Sequence, residues 1–106
     1  MYCCLKINNM TKFGELIDTR IPTLIDFYSD KTKSESTHRV LRDVAASLGE
    51  KAQVVKIDIN KNSELASALR VKKDPTFIIY KNGEVKWRQS GLQDAGTLIN
   101  LMEQYI

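Results

Sequence analysis

The chain carries only two thiols, Cys3 and Cys4, which are adjacent. Neighbouring cysteines reach disulfide geometry only by distorting the peptide between them, so both are expected as free thiols in a reducing compartment. Residues 5–106 contain no cysteine, hence no further thiol nucleophile. The single histidine, His38, and the adjacent Cys3-Cys4 give no metal-ligand spacing, which excludes a His-based or Cys-rich zinc site. His38 falls in the first turns of an expected helix and reads as a solvated helix residue rather than a base. A second cluster is hydroxyl-rich. Thr32, Ser34, Ser36 and Thr37 lie just where that helix should begin, with Lys31, Lys33, Lys72 and Lys73 as candidate neighbours. Free N–H groups at a helix N-terminus attract anions, so small-anion binding is one reading of this segment. Asp30 and Glu35 oppose it, and a mixed-charge solvated face is the plainer reading.

The elements that must hold these residues alternate between short β-like runs and helical runs. Tyr2 to Ile7 predicts a first strand. Asn9 or Thr11 offers an N-cap to a helix carrying Phe13, Leu16 and Ile17 at helical spacing, and Ile21-Pro22 ends it. The run from Thr23 to Tyr28 is nearly continuously apolar, as a strand buried on both faces should be. Ser29 to Ser36 reads as a loop. The next helix presents Val40, Leu41, Val44, Ala45 and Leu48 on one face and stops at Gly49. Gln53 to Ile59 predicts a strand, Asn60 to Ser63 a turn, and Glu64 to Leu69 a short helix. Pro75 opens a buried strand over Thr76 to Tyr80. Asn82-Gly83 is a strong hairpin signal, and Val85 to Ser90 is the returning strand. Asp94 or Thr97 starts a last helix with Leu98, Ile99, Leu101, Met102 and Tyr105 inward. Pro22, Gly49, Gly83 and Gly91 read as backbone punctuation, and Trp87 as packing. The order β-α-β-α-β-α-β-β-α implies an α/β fold: a central mixed β-sheet with helices on both faces.

Composition narrows the function classes. A chain of 106 residues fits a single domain over 1–106. Its 42% hydrophobic and 27% charged residues exclude a disordered, collagenous or disulfide-scaffold chain. No apolar run approaches the roughly 20 residues needed to span a bilayer, so no membrane partner is expected. The N-terminus lacks the pattern of a signal peptide, which makes the cytoplasm the expected compartment. The net charge is +3, with 13 acidic residues mixed among 16 basic ones and no basic run, so no nucleic-acid partner is expected. No motif calls for a cofactor.

Taken in order, Thr23-Leu24-Ile25-Asp26-Phe27-Tyr28, Val55-Lys56-Ile57-Asp58, Asp74-Pro75-Thr76-Phe77, Lys81-Asn82-Gly83-Glu84-Val85 and Gly91 resemble the thioredoxin family over nearly the whole chain. The resemblance implies a thioredoxin fold and a Cys-x-x-Cys site a few residues after the Asp-Phe pair. Thr32-Lys33-Ser34-Glu35 stands there instead, in a segment about one residue shorter than the family's. Tyr28 and Lys31 replace the family's tryptophans around this loop, and Val40 or a neighbour replaces a helix proline. Disulfide reduction needs an attacking thiolate and a second thiol to resolve the mixed disulfide, and hydroxyls cannot take either part.

Other family positions are kept. Asp26 resembles the buried carboxylate that assists proton transfer, and Lys56 the lysine near it. With no thiol to serve, they are read as a buried charge pair, because removing one partner strands the other. Pro75 resembles the family's cis-proline, beside which substrate backbone pairs. Asp74 and Thr76 would offer that edge here, or the proline only shapes a turn. The leading expectation is a module without redox chemistry at the usual loop that binds a protein or an extended peptide through Thr32, Lys33, Ser34, Glu35, Asp74, Pro75, Thr76 and Gly91. Two alternatives stand beside it. One is a thioredoxin-type disulfide oxidoreductase in cell redox homeostasis, using Cys3 or Cys4. The other is small-anion or glutathione binding at the start of the second helix.

Overall fold

A central sheet of five strands in the order β1-β3-β2-β4-β5 organises the molecule. The computed structural model describes the backbone of residues 3–4, 10–29, 35–72 and 75–106, and the side chains of 13–29, 39–72 and 75–106. The elements run β1 (Cys3–Cys4), α1 (Met10–Ile17), β2 (Thr23–Tyr28), α2 (Glu35–Leu48), a 3₁₀ turn (Gly49–Lys51), β3 (Gln53–Asp58), α3 (Ser63–Ala68), β4 (Thr76–Lys81), β5 (Glu84–Ser90) and α4 (Ala95–Glu103). β1, β3 and β2 are mutually parallel, while β4 pairs antiparallel with β2 and β5 antiparallel with β4.

The near-continuous apolar runs of β2 and β4 are explained by helices on both faces of the sheet. Ile25, Phe27, Val55, Ile57, Ile78 and Tyr80 pack with Phe13 and Ile17 of α1 and Leu65 and Ala66 of α3. The alternate residues Leu24, Val54, Phe77 and Ile79 pack with Leu41, Val44 and Leu48 of α2 and Leu98 and Met102 of α4. Burying each large aliphatic or aromatic side chain contributes about 1.5–3 kcal/mol, so these two layers carry most of the stability. Trp87 joins the second layer as a half-buried packing residue, as the sequence suggests.

Several boundaries move by a residue or two, each for a local reason. Thr11 lies inside α1, which already starts at Met10, so it is not the cap; Asn9 falls outside the described residues. Asp94 supplies the cap of α4, its carboxylate accepting the Thr97 N–H at 2.7 Å. α2 begins at Glu35, before the expected end of the loop at Ser36, because a polar residue in a first turn costs only a few tenths of a kcal/mol of propensity. α2 stops at Leu48 as expected, and Gly49, at φ +54°, leads the chain into the 3₁₀ turn. β3 ends at Asp58 rather than Ile59, since the Asp58 carboxylate takes the N–H groups of Asn60 (2.8 Å) and Lys61 (3.2 Å) and turns the chain. α3 is shifted one residue earlier, to Ser63–Ala68. Of the first expected strand only Cys3–Cys4 lies among the described residues.

The β4–β5 turn is Asn82-Gly83 with φ of +53° and +79°, the type I′ geometry that Asn-Gly favours. Its tip also docks on α1. The Asn82 N–H reaches the Thr19 carbonyl at 2.8 Å and the Gly83 N–H reaches the Ile17 carbonyl at 3.1 Å, satisfying an oxygen at the helix end.

Candidate functional site

The C-terminal ends of parallel strands β2 and β3 and the first residues of β4 converge on one side of the sheet. β2 delivers Asp26 and Tyr28, two residues apart and therefore on one face. In the parallel register Asp26 faces Lys56, and Tyr28 faces Asp58. Asp26 is 1% exposed and Lys56 6% exposed, so both expected members of the charge pair are buried and side by side. The Lys56 ammonium stands 4.9 Å from the centre of the Tyr28 ring, a cation–π contact that offsets part of its desolvation. The sequence reading passed over Tyr28 as a partner for Lys56. The period-two spacing from Asp26 was the signal that could have found it.

β4 brings the proline. Pro75 is buried immediately before Thr76, and its carbonyl accepts the N–H of Gly91 at 2.9 Å. Gly91 has φ +99°, a conformation most side chains resist, which gives this glycine a backbone reason. Thr76 and Ser90 share a hydrogen bond between their hydroxyl oxygens at 3.2 Å. Pro75, Thr76 and Gly91 are thus joined as one unit, with Ser90 as a member the sequence reading did not include.

One expectation is corrected by the register. Thr76 pairs with Phe27 of β2 on one side and Ser90 of β5 on the other, so it lies inside the sheet and offers no edge to an incoming peptide. Asp74, Thr32, Lys33 and Ser34 lie outside the described residues, as does the side chain of Glu35, whose backbone opens α2. The anion reading falls on this same segment.

β1 fixes the backbone position of the two cysteines. Cys3 pairs with Val55 and Cys4 with Lys56, in the row that continues to Asp26. That row crosses the body of the sheet, two residues before the end of β2 from which the chain leaves toward α2. Among the described residues no group of three or more His, Cys, Asp and Glu side chains is arranged to hold a metal ion.

A five-stranded mixed sheet of this order, with two helices on each face and a buried Asp-Lys row beside the Pro75 turn, defines a thioredoxin-fold protein. The thioredoxin family model matches residues 5–104, and the chain belongs to the thioredoxin family. It is 36% identical over 100 residues to Thioredoxin Y, chloroplastic, of Oryza sativa subsp. japonica, covering 92% of this chain and 60% of that relative's length. It is 26% identical to the thioredoxin of Rickettsia typhi, covering 94% of this chain and 99% of the relative. Among solved structures, a thioredoxin from Halobacterium salinarum superposes with a TM-score of 0.76 at 32% identity, covering 96% of this chain and 89% of that one. A thioredoxin from Malassezia sympodialis gives a TM-score of 0.81 at 20% identity, a likeness of fold alone.

Proposed function

We propose that this chain is a thioredoxin-fold module without thiol–disulfide chemistry at the loop before α2, and that it binds a protein or an extended peptide beside Pro75. The observation that carries the reading is the absence of cysteine from residues 5–106 in a chain that keeps the Pro75–Gly91 unit and the buried Asp26 and Lys56. Oxygen and nitrogen side chains at 32–35 cannot form or resolve a mixed disulfide. A bend that holds backbone for pairing works without sulfur, because strand addition draws on main-chain hydrogen bonds. With Thr76 inside the sheet, Asp74 is the remaining member of the expected pairing edge.

Two measurements test this. In an insulin-reduction assay the purified protein should give the background rate; robust catalysis would end the proposal. In a pull-down from native cells, Pro75→Ala should lose partners that the wild type retains. Equal capture by both forms would move the binding face elsewhere.

A disulfide oxidoreductase using Cys3 or Cys4 is the second reading, favoured by the thioredoxin names of its relatives. The pairing of β1 with β3 weighs against it, because it sets both cysteines beside Val55 and Lys56 rather than at the start of α2. Alkylating both thiols separates the two readings: loss of a measured reductase activity supports the enzyme.

No helix among the described residues is long and apolar enough to cross a membrane. The cytoplasm is the proposed compartment and a plastid the competing one, since the rice relative is named chloroplastic. Cell fractionation decides between them.

A further inference from the structure

The β5 strand and the residue after it touch the chain at Pro75 and again at the exit from α3. The Pro75 carbonyl receives the Gly91 N–H at 2.9 Å, just beyond β5. Five residues before Pro75, the chain leaves α3 through Arg70, a non-glycine residue at φ +57°. That bend brings the carbonyls of Leu69 and Arg70 to the Arg88 side chain of β5. Arg88 Nη1 donates to the Leu69 oxygen at 2.6 Å and Nη2 to the Arg70 oxygen at 2.8 Å. A planar guanidinium suits this task, since its two donors point in parallel and meet neighbouring acceptors without further ordering. The carbonyls at the end of a helix are also its negative pole, so a cation there is favoured.

The next residue, Val71, is buried in the core layer beneath α3, and its N–H bonds the Ala66 carbonyl at 2.9 Å. Arg88 and Gly91, three residues apart on the chain, therefore bracket the path from α3 into β4. A lysine at 88 would place one ammonium where the fork now reaches two oxygens.

We propose that Arg88 is a positioning residue for the Pro75 turn: its guanidinium fixes the exit from α3, so that β5 sets where the turn stands against the sheet. The role it gives Arg88 in partner binding rests on the peptide-binding reading above.

The experiment uses the full chain as wild type, Arg88→Ala and Arg88→Lys, with amide hydrogen exchange followed by NMR. In Arg88→Ala the amides of Val71 and Gly91 should exchange about tenfold faster, while those of Ile25 and Ile57 keep the wild-type rate. Arg88→Lys should fall between. The second arm measures affinity for the best peptide selected on the wild type from a random phage library. That affinity should drop about tenfold in Arg88→Ala with the thermal midpoint nearly unchanged. Unchanged exchange at Val71 and Gly91, acceleration spread evenly over the sheet, or full peptide affinity in Arg88→Ala each overturns the proposal. If the wild type selects no peptide, the binding reading fails, and the exchange rates alone decide whether Arg88 holds the turn.

Discussion

Asp26 and Lys56 sit directly opposite each other on adjacent parallel strands, both withdrawn from solvent. Neighbouring strands stand about 4.8 Å apart, so the two side chains leave the sheet as immediate neighbours. A buried charge pair loses several kcal/mol when one partner is removed and the other is left alone.

That cost predicts a non-additive pattern. Asp26→Asn and Lys56→Met should each destabilise the fold by roughly 3 kcal/mol, as when one partner of a buried pair is removed. The double variant should lose less than the two single losses together. Urea unfolding of all four proteins measures the coupling, and strict additivity would show that the two charges are energetically independent.

Restoring sulfur should restore chemistry. With Thr32→Cys and Glu35→Cys, a dithiol stands at the start of α2, where the helix end stabilises a thiolate. Insulin reduction should rise above the wild-type background, though Lys33-Ser34 between the cysteines keeps it modest. Failure in a folded double variant would count against 32–35 as the counterpart of the family's Cys-x-x-Cys segment.

Tyr80 predicts an alkaline weakness. Its hydroxyl is buried without a hydrogen-bond partner among the described residues, and its ring meets Phe13 edge-on at 5.5 Å. Burial raises its pKa above 10.0, with the Arg88 charge pulling weakly the other way. A group whose folded pKa is raised gives stability that is complete below its unfolded pKa and is lost as pH rises through the folded value. Wild-type stability should therefore begin to fall near pH 10, and Tyr80→Phe should remove that part of the fall. At neutral pH the same variant should be neutral or about 1 kcal/mol more stable, because it deletes an unsatisfied buried group. Parallel alkaline curves for the two proteins would refute the assignment.

Asp94 predicts the opposite dependence. Hydrogen bonding to Thr97 lowers its pKa below 3.8. A depressed folded pKa means that the contribution is present above the unfolded value and is lost as pH falls through the folded one. Asp94→Ala should melt a few degrees lower than wild type near neutral pH, and the gap should close in acid below about pH 3.8. Thermal melts across that range check it; a gap that persists at pH 2 would show that the carboxylate charge is not what caps α4.

The sequence alone determined which elements form and in what order, because that information is local. Alternation, helical spacing and the Asn82-Gly83 turn act over a few residues, and among the described residues the boundaries they gave differ from the structure by one or two positions. It also determined that residues 5–106 carry no cysteine, which is a matter of composition. Register was decided only in the folded sheet. A two-residue turn would pair Thr76 with Gln89 if β5 ran regularly, yet the ladder shifts between Ile79 and Tyr80, and Thr76 meets Ser90. That one-residue bulge turns Trp87 toward the α2 and α4 layer and brings Gly91 onto the Pro75 carbonyl. Whether a strand keeps or skips a residue depends on packing both sheet faces at once. For the same reason, the meeting of Arg88 with the end of α3, and of Lys56 with Tyr28, was visible only once helices and sheet were assembled.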